Sequence, residues 1–230
     1  MVAAGSSRRM DGIDKIFYEV SGMPLIAHTI AAFQRPGLIE STVLVLPSSN
    51  LPRGRELVEQ YGYKNVTICP GGDTRQQSVA NGLAAVGACD MVLVHDGDRP
   101  LVSATTIETG IRLASRSGIA IPVVPVNDTI KEISPAGYVV RTIERANVAA
   151  VHTPQVFRYE ILKQIHRQAD AAATDDSVLA ERLGHEIITY PDSPENLKVT
   201  TRIDLLLANA ILDQRRLHGT VPAIAQKADH

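Results

Sequence analysis

The chain has 230 residues, with 23 lysines and arginines against 25 aspartates and glutamates, and a formal net charge of −2 at pH 7. Apolar residues make up 44% and charged residues 21%, a balance that is typical of a globular protein and too apolar for a disordered one. The length allows one sizeable domain with a single core, and the near-neutral charge argues against a general nucleic-acid binder.

The cysteines and the N-terminal sequence bear on cellular location. Cys69 and Cys89 are too few for a disulfide framework, have no metal-binding spacing and fit a reducing compartment. The N-terminus lacks the basic and apolar regions of a signal peptide, and no run of about 18 apolar residues predicts a membrane span. We therefore expect a cytoplasmic protein without a membrane partner.

Strands and helices alternate along most of the chain. Continuous apolar runs predict strands, buried on both faces of a parallel sheet, at 42–46, 91–94 and 119–124. The segments between them predict helices at 24–33, 75–86 and 103–114. This alternation predicts right-handed βαβ crossovers, and hence an α/β, doubly wound, Rossmann-like fold with a mostly parallel sheet.

The middle of the chain interrupts the alternation. Residues 128–133 and 138–143 predict two strands around a turn that contains Pro135 and Gly137. Because such a hairpin has few partners in a parallel sheet, we expect a projecting β-hairpin arm at about 128–143. An antiparallel extension of the main sheet is the alternative.

Helical signals return after the arm. Thr174 is a candidate N-cap for a helix over 175–183, which Gly184 would end. In the last helix Ile203, Leu206, Leu207, Ala210 and Ile211 form one apolar stripe, which is typical of the side that packs on a core. Residues 219–230 carry no periodicity and predict a loose tail after a single domain at 1–218.

One candidate site is the loop of small residues near the N-terminus. Ala3, Ala4 and Gly5 precede two basic side chains, Arg9 and Lys15. Backbone N–H groups of small residues can approach a phosphate closely, and the basic side chains would add charge. The segment matches neither a Walker loop nor a Rossmann fingerprint, and a solvated basic tail is the alternative.

Two further segments follow predicted strands. His95-Asp96-Gly97-Asp98-Arg99 comes directly after the strand at 91–94, where ligands bind in open α/β sheets, and Asp96 could hold Mg²⁺. Gly71-Gly72-Asp73-Thr74-Arg75-Gln76-Gln77-Ser78 leads into the helix at 75–86, so backbone donors and a helix N-terminus would face the same space. Ordinary turns or a local Asp–Arg ion pair are the alternatives.

These segments occur in the order found in one family. Together with Asp128-Thr-Ile-Lys, Thr153-Pro-Gln-x-Phe, Thr174-Asp-Asp and Asn196-Leu-Lys-Val-Thr, they make the chain resemble the 2-C-methyl-D-erythritol 4-phosphate cytidylyltransferases from Ala3 to about Leu212. The resemblance implies a Mg²⁺-dependent reaction of CTP with 2-C-methyl-D-erythritol 4-phosphate that releases pyrophosphate. The alternatives are a ribitol- or other polyol-phosphate cytidylyltransferase and a nucleotide-binding protein without turnover.

The resemblance also implies roles for individual residues. Catalytic roles are implied for Arg9, Lys15, Arg145 and Lys198. Contacts with CTP are implied for Ala3, Ala4, Gly5, Gly72, Ser78 and Gly97. Contacts with methylerythritol phosphate are implied for Arg99, Thr129 and Thr153, and coordination of Mg²⁺ is implied for Asp96. In the family the arm builds a homodimer and helps to line the partner's site, so we expect the same here, with no nucleic-acid partner.

Three features depart from the family pattern. Ser6-Ser7 stands where the family loop usually has a second glycine, so the loop must accept a different backbone conformation. Only Met1-Val2 precedes the loop where the family has a full apolar strand, which favours a misplaced or trimmed start and predicts lost core beside it. Asp98 adds a carboxylate near Asp96 that could support the metal or repel phosphate.

Overall fold

A computed structural model describes residues 1–5, 14–168 and 173–218. The helices are α1 (Leu25–Phe33), α2 (Leu51–Gln60), α3 (Arg75–Val86), α4 (Ala104–Ser117), α5 (Tyr159–Gln168), α6 (Asp176–Arg182) and α7 (Arg202–Leu217). The strands are β1 (Glu19–Val20), β2 (Met23–Pro24), β3 (Thr42–Leu46), β4 (Val66–Pro70), β5 (Met91–Val94), β6 (Ile119–Pro125), β7 (Ile130–Ile133), β8 (Val139–Ile143), β9 (Ala149–Val151), β10 (Gln155–Arg158) and β11 (Ile188–Pro191). In this part of the chain no helix is long and apolar enough to cross a membrane.

The predicted elements before the arm are confirmed. Strands β3 and β5 and helix α3 have the predicted bounds, and the others differ only at their ends. Helix α3 begins where it does because the Thr74 hydroxyl accepts a hydrogen bond from the Gln77 N–H in a capping box. Helix α4 begins after Ser103, whose side chain caps the Thr106 N–H in the same way.

The start of the chain joins two groups of strands into one sheet. Val2 forms parallel bridges to Val45 and Asp96. Its N–H donates to the His95 carbonyl over 2.8 Å, and its carbonyl accepts from the Gly97 N–H over 2.8 Å. A very short strand at Val2 therefore lies between β3 and β5.

The resulting strand order is β4-β3-Val2-β5-β10-β6-β11. The pairs β3–β4 and β6–β11 are parallel, whereas β10 runs antiparallel to both β5 and β6. The α/β, mostly parallel, Rossmann-like architecture is thus confirmed, with β10 as an antiparallel strand inside it.

A cavity of about 450 Å³ lies beside the short first strand. Its walls include Met1, Val43 of β3 and Leu93 of β5. The Met1 amine donates to the Val43 carbonyl over 2.8 Å, and burial lowers the pKa of this amine to about 6.

The predicted arm forms a sheet of its own. Strands β7 and β8 pair antiparallel, with Ile130 opposite Ile143, and form a two-stranded sheet separate from the main one. Gly137 closes the turn at a φ of +84°, a conformation that favours glycine. Tyr138 and Val139 are 76% and 60% exposed. The hairpin is therefore an arm rather than an extension of the main sheet.

The predicted N-cap of α6 is wrong by one position. Asp175, not Thr174, caps the helix, because its carboxylate accepts the Val178 N–H over 3.0 Å. The helix begins at Asp176, and Gly184 follows its end at a φ of +78°. The predicted tail at 219–230 lies outside the described residues.

The predicted core face of α7 is also wrong. Ile203 and Leu206 are 75% and 72% exposed, whereas Leu205, Ala208 and Leu212 are buried. The buried residues pack with Val20, Leu25, Leu101 and Val199.

Polar contacts set the rotation of α7. The Ser21 N–H donates to the Asn209 side chain over 2.6 Å, the Ser21 hydroxyl donates to Asp213 over 2.5 Å, and Arg216 donates to the Ser21 carbonyl. Because the helix carries apolar residues on more than one side, these bonds to the turn between β1 and β2 select the packed face.

Because of the rotation of α7, alanine substitutions of two neighbouring leucines should change the free energy of unfolding by different amounts. Leu205→Ala should lower the free energy of unfolding by about 2–4 kcal/mol because it leaves a cavity, whereas Leu206→Ala should change it by less than about 0.5 kcal/mol. Urea unfolding followed by circular dichroism measures both. Equal losses would mean that the stripe through Leu206 is packed in solution.

Candidate active site

Three loops meet at one edge of the main sheet. They follow Val2, β4 and β5, whose carboxyl ends point the same way. A Cβ atom added to Gly97 would lie 2.7 Å from the Ala3 Cβ, and one added to Gly71 would lie 2.4 Å from the Ala4 Cβ. Only glycine fits at such approaches. The loops therefore form a floor made largely of backbone.

Ser78 ties one of these loops to α3. Its hydroxyl oxygen accepts the Gly72 N–H over 3.1 Å, and the hydroxyl donates to the Thr74 carbonyl over 2.9 Å. Ser78 is buried, with 2% of its surface exposed. The hydroxyl thus shapes the Gly71-Gly72 loop, and its contact with CTP stays a prediction.

Asp96 is a buried carboxylate surrounded by cations. Lys198 Nζ lies 3.0 Å from one carboxylate oxygen, Arg99 Nε lies 3.4 Å from the same oxygen, and Arg75 Nη2 lies 3.8 Å from the other. Burial opposes ionisation, but Lys198, Arg75 and Arg99 outweigh it and lower the pKa of Asp96 to about 2. The carboxylate is therefore ionised at neutral pH and gathers three positive side chains at the floor.

Arg75 is held between two carboxylates. Its Nη1 donates to Asp176 over 2.7 Å, and Asp176 also contacts His166 Nε2 at 2.8 Å. Burial opposes ionisation of Asp176, but the contacts with His166 and Arg75 lower its pKa. Neither Arg75 nor Asp176 was predicted as a site residue, although both lie in motifs that marked the family resemblance.

Thr153 and His95 fix the backbone of Asp96. Burial lowers the pKa of His95 to about 3, so the imidazole is neutral. Its Nε2–H donates to the Arg99 carbonyl over 3.1 Å, which leaves Nδ1 to accept the Thr153 hydroxyl over 2.9 Å. The Thr153 oxygen in turn accepts the Asp96 N–H over 3.1 Å. The predicted contact of Thr153 with substrate stays a prediction.

Asn196 fixes the start of the segment that carries Lys198. Its side-chain amide donates to the Thr153 carbonyl over 2.9 Å and to Asp192 over 2.7 Å. Arg99 donates to the Asn196 carbonyl over 2.7 Å. Asn196 was not predicted as a site residue, and its position directly before Leu197-Lys198 was the available signal.

Lys15 lies in the same cluster. Its ammonium contacts Asp98 Oδ2 at 2.5 Å and donates to the Val199 carbonyl over 2.9 Å. The backbone N–H of Val199 donates to the Asp98 carbonyl over 2.9 Å. Lys15 and Lys198 are thus brought to the same loop from opposite ends of the chain.

The donor set suits a metal that arrives with phosphate. Among the described residues no group of three or more His, Cys, Asp or Glu could hold a metal ion. Mg²⁺ in nucleotide sites commonly takes one or two protein carboxylates together with phosphate and water oxygens. Asp96 fits that role, but its oxygens already face Lys198, Arg99 and Arg75.

The structure brings some of the predicted site residues together and leaves others apart. The cluster brings together Ala3, Ala4, Lys15, Gly72, Ser78, Asp96, Gly97, Arg99, Thr153 and Lys198. Thr129 and Arg145 are exposed at the arm, where Arg145 donates to the Asn127 carbonyl. In the described ranges no hydrogen bond or ion pair joins either to Asp96. Gly5 ends the first described segment, and Arg9 lies outside the described residues.

The Asp176–Arg75 pair predicts a large stability loss when its charge is removed. Asp176→Asn leaves Arg75 without its closest counter-charge and should lower the free energy of unfolding by about 3 kcal/mol at pH 7. Because the pKa of Asp176 is lowered in the folded state, this contribution is full above the ordinary range near 3.8 and is lost as the pH falls further.

Urea unfolding at several pH values measures this loss. The matched control is Glu132→Gln, which breaks an exposed ion pair with Arg141 and should cost less than about 1 kcal/mol. A cost for Asp176→Asn no larger than that of the control would show that the pair does not stabilise the fold.

Comparisons with known proteins identify the family of the chain. The sequence model of the IspD family, 2-C-methyl-D-erythritol 4-phosphate cytidylyltransferase, matches residues 1–214. A protein of that name from Dehalococcoides mccartyi is 44% identical over 217 residues, which cover 94% of this chain and 96% of the relative. Another, from Alkaliphilus oremlandii, is 39% identical, with 94% of each chain covered.

Solved structures show the same similarity. The 2-C-methyl-D-erythritol 4-phosphate cytidylyltransferase from Thermus thermophilus superimposes with a TM-score of 0.76 at 32% identity, covering 92% of this chain and 97% of that one. The 4-diphosphocytidyl-2C-methyl-D-erythritol synthase from Anaerococcus prevotii gives a TM-score of 0.82 at 28% identity, covering 92% and 95%. The chain belongs to the family of 2-C-methyl-D-erythritol 4-phosphate cytidylyltransferases.

Proposed function

We propose that this chain catalyses the transfer of a cytidylyl group from CTP to 2-C-methyl-D-erythritol 4-phosphate, with release of pyrophosphate, in the non-mevalonate isoprenoid pathway. The observation that carries the proposal is the cluster of Lys198, Arg75 and Arg99 around Asp96 at the edge of the sheet. Fixed cations beside a backbone-lined floor suit a polyphosphate. Family membership selects the nucleotide and the acceptor.

The reaction needs positioning and charge more than covalent help. An oxygen of the acceptor phosphate attacks the α-phosphorus of CTP, and the bond between that phosphorus and the bridging oxygen to the β-phosphate breaks in line. The acceptor oxygen is already ionised, so no general base is required. Lys15 and Lys198, each held by a carboxylate, would stabilise the negative charge that gathers around the α-phosphate.

Magnesium belongs to the same proposal. Asp96 is the residue that would hold it, and the ion would neutralise part of the triphosphate charge. The cations that face Asp96 have further N–H donors to offer to the phosphate oxygens.

The arm is proposed to complete the site of a second copy. Thr129 and Arg145 lie at the base of an exposed hairpin, whose apolar side chains Tyr138 and Val139 are open to solvent. An isologous dimer would cover them and carry Arg145 to the partner's site. We also propose a cytoplasmic location, which fits the two unpaired cysteines.

The function is tested by pyrophosphate release from CTP with Mg²⁺. Methylerythritol phosphate and ribitol phosphate are offered in parallel, with UTP in place of CTP as a further arm. We expect release with methylerythritol phosphate and CTP. Release with ribitol phosphate alone would move the chain to the polyol alternative, and CTP binding without release from either acceptor would favour the binding-only alternative.

Metal dependence tests Asp96. With one carboxylate available, we expect Mg²⁺ alone to bind weakly in isothermal titration calorimetry and to bind tightly only with CTP present. Asp96→Asn should raise the Mg²⁺ concentration needed for half-maximal turnover by about tenfold or more, because a carboxylate ligand is lost. An unchanged metal requirement would show that Asp96 is not the ligand.

Mixed dimers test the arm. Lys198→Ala and Arg145→Ala should each slow turnover at least about 100-fold. If the arm serves the partner's site, a heterodimer of the two variants contains one intact site, so an equal mixture should regain roughly a quarter of wild-type activity after subunit exchange. A mixture as inactive as its components, with exchange verified by native mass spectrometry, would place Arg145 in the site of its own chain.

A further inference from the structure

We propose that Asp98 is a positioning residue that sets the Lys15 ammonium in place for catalysis. The inference rests on the proposed function, in which Lys15 stabilises charge at the α-phosphate. Asp98 is the carboxylate by which this chain departs from the family pattern, and the sequence left open whether it supports the metal or repels phosphate. The structure assigns it a different task, because it contacts Lys15.

The geometry leaves the ammonium with little freedom. Lys15 and Asp98 are 9% and 8% exposed, and their charged atoms are 2.5 Å apart. A lysine ammonium has three N–H donors. One faces Asp98 and a second the Val199 carbonyl at 2.9 Å, so one donor remains for a phosphate oxygen. A long side chain that would otherwise sample many rotamers is thus fixed before substrate binds.

Asp98 also links Lys15 to Lys198. The Val199 N–H donates to the Asp98 carbonyl over 2.9 Å, while the neighbouring Lys198 reaches Asp96 at 3.0 Å. Val199 is fully buried, so this backbone contact is shielded from water. Two carboxylates of one loop therefore each contact one of the two lysines, an arrangement that suits two groups acting on one transition state.

The net charge of the cluster distinguishes an effect of Asp98 on the position of Lys15 from an effect on the attraction of CTP. The described cluster contains Lys15, Arg75, Arg99 and Lys198 against Asp96, Asp98 and Asp176. Removing the Asp98 charge makes the cluster more positive, so CTP, an anion, is attracted at least as strongly as before. A loss of rate in such a variant is therefore not explained by weaker attraction of CTP, and the Lys15→Ala background shows whether it acts through Lys15.

The test is steady-state kinetics of the full-length enzyme with Asp98→Asn. We expect kcat to fall about tenfold or more, since a displacement of the ammonium of the order of 1 Å is costly, while the KM for CTP does not rise. In a Lys15→Ala background the same substitution should have little further effect on kcat. Asp14→Asn is the matched control, because its carboxylate lies beside Lys15 in sequence but contacts Asn50 and Arg53.

Each result has a distinct meaning. An unchanged kcat for Asp98→Asn overturns the proposal, and a higher kcat/KM for CTP overturns it in favour of a carboxylate that competes with the nucleotide for Lys15. An equal kcat loss with and without Lys15 shows that Asp98 acts elsewhere. If circular dichroism shows that Asp98→Asn does not fold, Asp98→Glu is the variant to test, because it keeps the charge but moves the ammonium. A lower kcat of Asp98→Glu with an unchanged KM supports the positioning role. A wild-type kcat refutes it.

Failure of the underlying function looks different. A wild-type enzyme without turnover on either acceptor would refute the proposed reaction itself. A wild-type enzyme that turns over while Lys15→Ala is equally fast would refute only the role of Lys15, and with it that of Asp98.

Discussion

The whole structure depends on the backbone hydrogen bonds of the first three residues. Met1 and Ala3 bond to Val45 of β3, whereas Val2 bonds to the loop directly after β5. The bridges of Val2 to Val45 and Asp96 join the β3–β4 pair to the rest of the sheet. The same bonds bring the loop after β5 beside Ala3, where Gly97 has no room for a side chain. A very short central strand is therefore both the junction of the sheet and the floor of the site.

Electrostatics at the site follows from burial at that junction. Asp96 lies at the end of β5, where desolvation disfavours its charge, and a buried carboxylate is tolerated only with counter-charges. Those counter-charges come from α3, from the loop of Asp96 itself and from the segment before α7. The requirement to compensate one carboxylate therefore draws together Arg75, Arg99 and Lys198 without any substrate present.

The sequence predicted what depends on local patterns. Strands β3 and β5 were predicted from continuous apolar runs, although β3 is buried throughout and β5 is mostly half-buried, and α3 was predicted from the helical segment between them. The rotation of α7 was predicted wrongly because periodicity counts apolar residues, whereas the packed face is selected by polar contacts with a turn almost 190 residues away in sequence.

Local sequence patterns likewise predicted only part of the site. Asp96 was predicted from its place after a strand, but Asp176 and Asn196 were missed because their roles arise from contacts between distant segments. Asp98 was noted as unusual, yet no spacing rule could show that its partner is Lys15, which lies 83 positions away in sequence. The order of the motifs identified the family, whereas the fold was needed to show which charged side chains contact each other.

The pairing of these charges has a consequence for catalysis. Lys198 faces Asp96, Arg75 faces Asp176 and Lys15 faces Asp98, so each cation is fixed before the nucleotide binds. Dipoles and charges that are fixed in advance need no reorganisation when charge develops in the transition state. The cost is that phosphate oxygens must share every cation with a carboxylate, which weakens the binding of the ground-state triphosphate. Such a site favours the more highly charged transition state over the nucleotide itself, which is the difference that accelerates a reaction.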